Sequence, residues 1–281
     1  MQSIYHFFKS LVKKKESFLR IGKLQDFPFD GSLLSCRNIG VFPDMAIKIN
    51  KDNKLFTGGE LIELKDSVSY SVSSFNSTIP TRKKNISKIV SSEKGIIYKQ
   101  MEDAGNDIYS LPIRDVFYLV RGRKKQHVKV CLVSGAFFET ISIENLISSS
   151  FQQVLEDNLK GSNVKINQNI KDLFQKLFSE QENFSKVRTV KKASVKLRFR
   201  IMTEVMAEGN LLNSKKYPEI LDDSLNLLLP VYSNEEEKDA VSKFNMVFSE
   251  KERTKFKIFK IKHHFNGNFL VFQTPIKSFT R

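Results

Sequence analysis

"FPDMAIKINKDNKLFTGGELIELKDS", from Phe42 to Ser67, is the stretch from which the fold is read. Its second half carries Ile62 and Leu64 between Leu61, Glu63 and Lys65. In an extended strand alternate side chains share a face, so Glu63 and Lys65 point one way while Ile62 and Leu64 point into a core. Its first half sorts similarly: Met45, Ile47 and Ile49 take one face and leave Asp44, Ala46 and Lys48 on the other. "KDNK" at 51–54 is turn chemistry, and Gly58-Gly59 signals a bulge or a close approach of backbones. A hairpin turning near Asn53-Lys54 puts Asp44 opposite Glu63 on one face. Two carboxylates at that distance repel and need compensation. A divalent cation provides it: Mg²⁺ takes oxygen ligands, accepts one or two carboxylates, and leaves its other positions to water and substrate phosphate. Lys65, on the same face, can orient or deprotonate a water attacking that phosphate and offset charge in the transition state.

Outward from this stretch the pattern is mixed. "MQSIYHFFKSLVKKKESFLRIGK" at 1–23 has apolar residues at helical spacing and reads as a docked amphipathic helix. It has too short an apolar run and no small-residue cleavage site for a secretory signal. "DVFYLVRGRKKQHVKVCLVSGAFFETI" at 115–141 reads as two strands around a basic turn. Ile143–Leu159 and 167–184 read as helices, and "ASVKLRFRIMTEV" at 193–205 as a half-buried strand with a basic outer face. "EEEKD" at 235–239 opens a solvated helix, and 255–276 forms a hairpin turning at Asn266-Gly267. The fold class is α/β (α+β), a mixed central sheet flanked by helices. Residues 1–160 are expected to form one part and 161–281 an α+β second part.

The chain of 281 residues carries 46 Lys and Arg against 31 Asp and Glu, a formal charge of +15. That surplus favours a polyanionic partner, nucleic acid before an anionic membrane. Cys36 and Cys131 lie in apolar strand-like runs and read as buried free thiols, which suits a cytoplasmic protein. No apolar run is long enough to span a membrane. No phosphate-binding Gly-x-x-x-x-Gly-Lys loop, dinucleotide fingerprint or Gly-x-Ser-x-Gly elbow occurs. His263-His264 lack companions at metal-ligand spacing.

Pro43-Asp44 followed by Glu63-Leu64-Lys65 in the next strand resembles the PD-(D/E)xK nuclease superfamily. The likeness covers about 25 residues of motif with a compatible helix–strand–strand–strand order around it. It implies a restriction-endonuclease-like core in which Asp44 and Glu63 bind Mg²⁺ as the sole cofactor. It also implies that the Leu64 backbone carbonyl is a further ligand and Lys65 the catalytic lysine. An acid on the N-terminal helix serves in some members, and Glu16 is the candidate here. A chain of this size looks most like a type II restriction endonuclease, which implies a homodimer cutting double-stranded DNA at a two-fold site.

DNA contacts are expected from basic surfaces: Arg82, Lys83 and Lys84 in "TRKK", "RGRKK" at 121–125, and Arg198 and Arg200. Polar groups at Ser73, Ser74, Asn76, Ser77 and Thr78 can donate to phosphate oxygens. Two readings compete. A non-catalytic nucleic-acid-binding module would keep the 44–65 acids as scaffold. A membrane-surface protein would use the basic N-terminal helix instead.

Overall fold

The computed structural model describes residues 2–38, 42–49, 58–72, 74–76, 80–90, 95–105, 108–139, 143–160, 167–169, 172 and 202–276. The chain is α+β and divides into two compact units, which are described separately.

The first unit comprises residues 1–73, 82–138 and 205–281. Its sheet is formed by β1 (Leu34–Arg37), β2 (Met45–Ile47), β3 (Leu61–Ser67), β5 (Lys83–Asn85), β6 (Ile113–Lys124), β7 (His127–Ser134), β9 (Ser224–Val231), β10 (Lys257–His263) and β11 (Gly267–Pro275). The order is β1-β2-β3-β6-β7-β9-β11-β10, with β5 pairing β6 off this path. β3 runs parallel to β6 and β7 parallel to β9; the other pairs are antiparallel. Mixed order has a sequence cause. β6, β7 and β9 are almost uniformly buried, as central strands covered on both faces must be. β10, at the edge, exposes Lys257, Lys260 and Lys262, and lysines on an edge deter pairing with other chains.

One face of the sheet carries the main core. Met45, Ile47, Ile62, Leu64, Phe117, Leu119, Leu132, Leu227, Leu270 and Phe272 lie there under two helices. The first, α1 (Gln2–Lys13), buries Ile4, Tyr5, Phe7, Phe8 and Leu11, which recur at helical spacing. The second, Asn234–Val247, is capped by the Ser233 side chain, which accepts from Glu236 N at 3.2 Å. The two helices are tied by Tyr5 Oη donating to Ala240 O at 3.0 Å and Lys9 Nζ to Val247 O at 2.8 Å.

The second unit comprises residues 74–81 and 139–204. In it β4 (Ser74–Asn76) pairs antiparallel with β8 (Met202–Glu204), and Ile143–Leu159 is helical as expected. The expected boundary at 160 is therefore corrected. β9, β10 and β11, which follow it in sequence, belong to the same sheet as β1–β3. The helix expected over 167–184 lies almost wholly outside the described residues, as do Ser73, Ser77, Thr78, Arg198 and Arg200. Cys36 and Cys131 are free and buried. Among the described residues no helix is long and apolar enough to cross a membrane.

Candidate active site

β2 and β3 set the site. Met45 pairs with Ile62 and Ala46 with Leu61, the register that the alternation of the two strands predicts. The turn between them lies outside the described residues, but its return is fixed. Gly58 and Gly59 have φ of 84° and 94°, and a Cβ on Gly58 would meet Lys48 O at 1.7 Å. Only glycine fits there, because backbone approaches backbone in a left-handed conformation.

The strand pairing stops at Met45 for a local reason. Beyond Met45 the register would set Asp44 opposite Glu63 and then Pro43 opposite Leu64, and Pro43 has no N–H to give to the ladder. Leu64 N instead donates to Asp44 Oδ2 at 2.8 Å. The N–H and C=O of one strand residue project to the same edge, so the Leu64 carbonyl projects to the β2 edge of β3 as its N–H does. The Leu64 side chain packs in the core on the other side.

Glu63 and Lys65 stand on the face away from that core. Lys65 Nζ donates to Glu63 Oε1 at 2.9 Å. Glu63 is only 8% exposed and Asp44 7%. Glu63 Oε2 is buried and has no hydrogen-bond partner among the described residues. Burial pushes the Glu63 carboxyl above the usual glutamate range. Lys65 pulls it back, the Asp44 charge raises it further, and Lys84 opposes that rise. The residues of the sequence motif are thus neighbours: Lys65 bonds Glu63, the charge of Asp44 acts on Glu63, and Asp44 accepts from the amide of Leu64.

An orphaned, buried carboxylate oxygen beside a second acid and a strand carbonyl is a donor set that fits a hard divalent cation. Among the described residues no cluster of three or more His, Cys, Asp or Glu side chains is gathered for a metal. Mg²⁺ does not need one, since it binds through one or two carboxylates and keeps water elsewhere.

Lys84 joins this face, and not as a surface contact. β5 buries it, 7% exposed, while Lys83 and Asn85 on either side are exposed. Lys84 pairs with Arg114 of β6, and the parity of β6 carries Arg114, Val116 and Tyr118 to one face. Tyr118 is the register partner of Glu63. The Lys84 ammonium lies 4.7 Å from the centre of the Phe42 ring, two residues before Asp44. Sequence reading placed Lys84 in a basic run without seeing which member of the run faces inward; the signal was the strand alternation of Lys83-Lys84-Asn85.

Other expected residues are placed differently. Arg82 lies over the Tyr232 ring at 5.4 Å, and its carbonyl accepts from Val116 N at 2.9 Å. Glu16 forms an exposed pair with Arg20 at 3.7 Å, at the end of the N-terminal helical segment. Among the acids that this segment engages, Glu252 pairs with Lys9 at 2.8 Å and Glu60 accepts from Ser3 Oγ; burial pushes the Glu60 carboxyl up and Ser3 opposes the shift. Arg121, the first residue of "RGRKK", is corrected from a DNA contact to a buried strut, because its guanidinium is held by Asp66. No family model, curated protein or solved structure matches the chain.

Proposed function

We propose that the chain is a Mg²⁺-dependent endonuclease that hydrolyses phosphodiester bonds of double-stranded DNA at specific sequences, in the manner of a type II restriction enzyme. The observation that carries this reading is the neighbourhood of Glu63: Lys65 bonds its Oε1, the charge of Asp44 acts on it while Asp44 accepts from Leu64 N, and Glu63 Oε2 is buried and lacks a partner among the described residues. Asp44, Glu63 and the Leu64 carbonyl would hold Mg²⁺, which supplies Lewis-acid polarisation of a phosphoryl oxygen and a more acidic water. Lys65, as an ammonium paired with Glu63, orients the attacking water and offsets the charge that develops on it, and the proton of that water leaves to solvent. The water oxygen bonds to phosphorus while the bond to the leaving sugar oxygen breaks, and that oxygen is protonated from solvent. The charge of +15 supports a polyanionic substrate. Cutting both strands at a palindromic site calls for a homodimer, and the free thiols agree with a cytoplasmic setting.

The test is incubation of the purified chain with phage DNA and MgCl₂. Discrete bands are expected, and none when EDTA replaces the metal. Salt-sensitive DNA binding with no cutting under any divalent metal would replace this reading with that of a non-catalytic nucleic-acid-binding module, in which Lys65 merely neutralises Glu63.

A further inference from the structure

We infer that Lys84 is a second phosphate-binding ammonium of this site, resting on the nuclease reading for the identity of the phosphate as that of nucleic acid. Four observations converge on it. Its side chain is buried, although its chain neighbours are exposed. The register through Arg114 and Tyr118 puts it on the face of Glu63. Its ammonium is held over the Phe42 ring at 4.7 Å, beside the Pro43-Asp44 turn. Its charge acts on the Glu63 carboxyl together with that of Lys65.

Lys65 is paired with Glu63 at 2.9 Å, and Lys84 brings a second positive charge to act on the same carboxylate from another strand. With a divalent cation between the acids, these charges would match a phosphodiester and the hydroxide that attacks it. Without Lys84 the developing transition-state charge would be only partly compensated in a poorly solvated pocket. Lys84 approaches from β5, whereas Lys65 approaches from β3. The two ammonium groups therefore hold the phosphate from different strands and fix its orientation.

The experiment measures binding of thymidine 3′,5′-bisphosphate by calorimetry in CaCl₂, for the wild type, Lys84→Met, Lys84→Arg and, on the edge strand β10, Lys257→Met. Met retains the stem over Phe42 and removes only the charge. Lys84→Met is expected to weaken binding about tenfold or more, as loss of a charged hydrogen bond does. Lys257→Met and Lys84→Arg should bind as the wild type does. Unchanged affinity in Lys84→Met, equal weakening in Lys84→Arg, or no saturable binding by the wild type would overturn the assignment. Should Lys84→Met not fold, ¹³C-lysine spectra decide: the Cε resonance lost in Lys84→Arg must move when the nucleotide is titrated into the wild type, and a stationary resonance overturns the assignment. A wild type that binds the nucleotide through Lys84 yet leaves DNA uncut in MgCl₂ would sink the nuclease reading and leave the phosphate site standing.

Discussion

Asp66 and Arg121 meet through two parallel bonds, Nε to Oδ1 at 2.8 Å and Nη2 to Oδ2 at 2.6 Å, on the face of β3 opposite Glu63. The remaining Arg121 donors go to the carbonyls of Phe18, Ile21 and Gly22 at 3.1–3.2 Å, and Asp66 also accepts from Leu24 N at 2.9 Å. Arg121 is fully buried while Asp66 is partly exposed; the pair is satisfied and clamps the segment after α1 onto the sheet. Glu63, two strand positions from Lys65, is left with an unpartnered oxygen. One strand thus carries a closed ion pair on one side and an open one on the other, and that difference separates scaffold from candidate chemistry.

The closed pair gives a stability prediction. Asp66→Ala leaves the Arg121 guanidinium, 0% exposed, without its carboxylate. Removing one partner of a fully buried pair costs about 3–5 kcal/mol, and the partial exposure of Asp66 sets the loss here at or below the lower end of that range. Urea unfolding should show a loss of that size, with Arg121→Met less damaging in an Asp66→Ala background than alone. Unchanged stability of Asp66→Ala would mean that the clamp contributes nothing.

The open pair gives the catalytic prediction. Asp44→Ala, Glu63→Ala and Lys65→Ala should each reduce DNA cleavage about a hundredfold or more while keeping the fold, the scale seen when a single transition-state contact is removed. Circular dichroism separates lost activity from lost structure. Near-normal turnover in Lys65→Ala would remove the lysine from the mechanism.

DNA affinity should fall steeply as salt rises, because neutralising phosphates with Lys and Arg releases condensed counterions. Filter binding between low and physiological ionic strength measures the slope. A flat dependence would remove the nucleic-acid reading altogether.

Much of the sheet was legible because alternation is a geometric signal. It gave the β2–β3 register from residues 42–67 alone, and that register continued past Met45 sets Asp44 opposite Glu63. The β6–β7 and β10–β11 hairpins were legible for the same reason. β9 was not. "SLNLLLPV" has a continuous apolar run, a buried Asn226 and a proline, so no period of two betrays it, although it lies between β7 and β11. Asn226 is tolerated because its amide donates to Val130 O at 3.1 Å and its oxygen accepts from Gln273 Nε2 at 2.9 Å, contacts that only the assembled sheet supplies. Basic runs misled in the same way. "RGRKK" reads as one charged surface, yet strand parity buries Arg121 beside Asp66, a partner 55 positions earlier. Net charge counts lysines and arginines; it does not tell which of them turn inward.

Glu63 makes the final prediction, one of pH and metal together. Its carboxyl is raised in the folded protein, chiefly by burial. For an acid with a raised folded value, the native state binds the proton more readily than the unfolded chain does. Below the unfolded glutamate range the group is protonated in both states and carries no penalty. As pH rises through the raised folded value it must ionise in a buried place, and the native state loses stability. Glu63→Gln should therefore melt at a higher temperature than the wild type at neutral pH, with the difference vanishing toward pH 4. A divalent cation on the open oxygen reverses the sign, since it stabilises the ionised carboxylate. CaCl₂ should raise the melting temperature of the wild type and leave that of Glu63→Gln unchanged. Ca²⁺ should also support DNA binding without cleavage, its looser geometry filling the site without positioning the water as Mg²⁺ does. Differential scanning calorimetry across pH, with and without CaCl₂, reads both effects. If Glu63→Gln gains nothing at neutral pH, and calcium stabilises the two proteins equally, then Lys65 already satisfies Glu63 and the acid belongs to the scaffold.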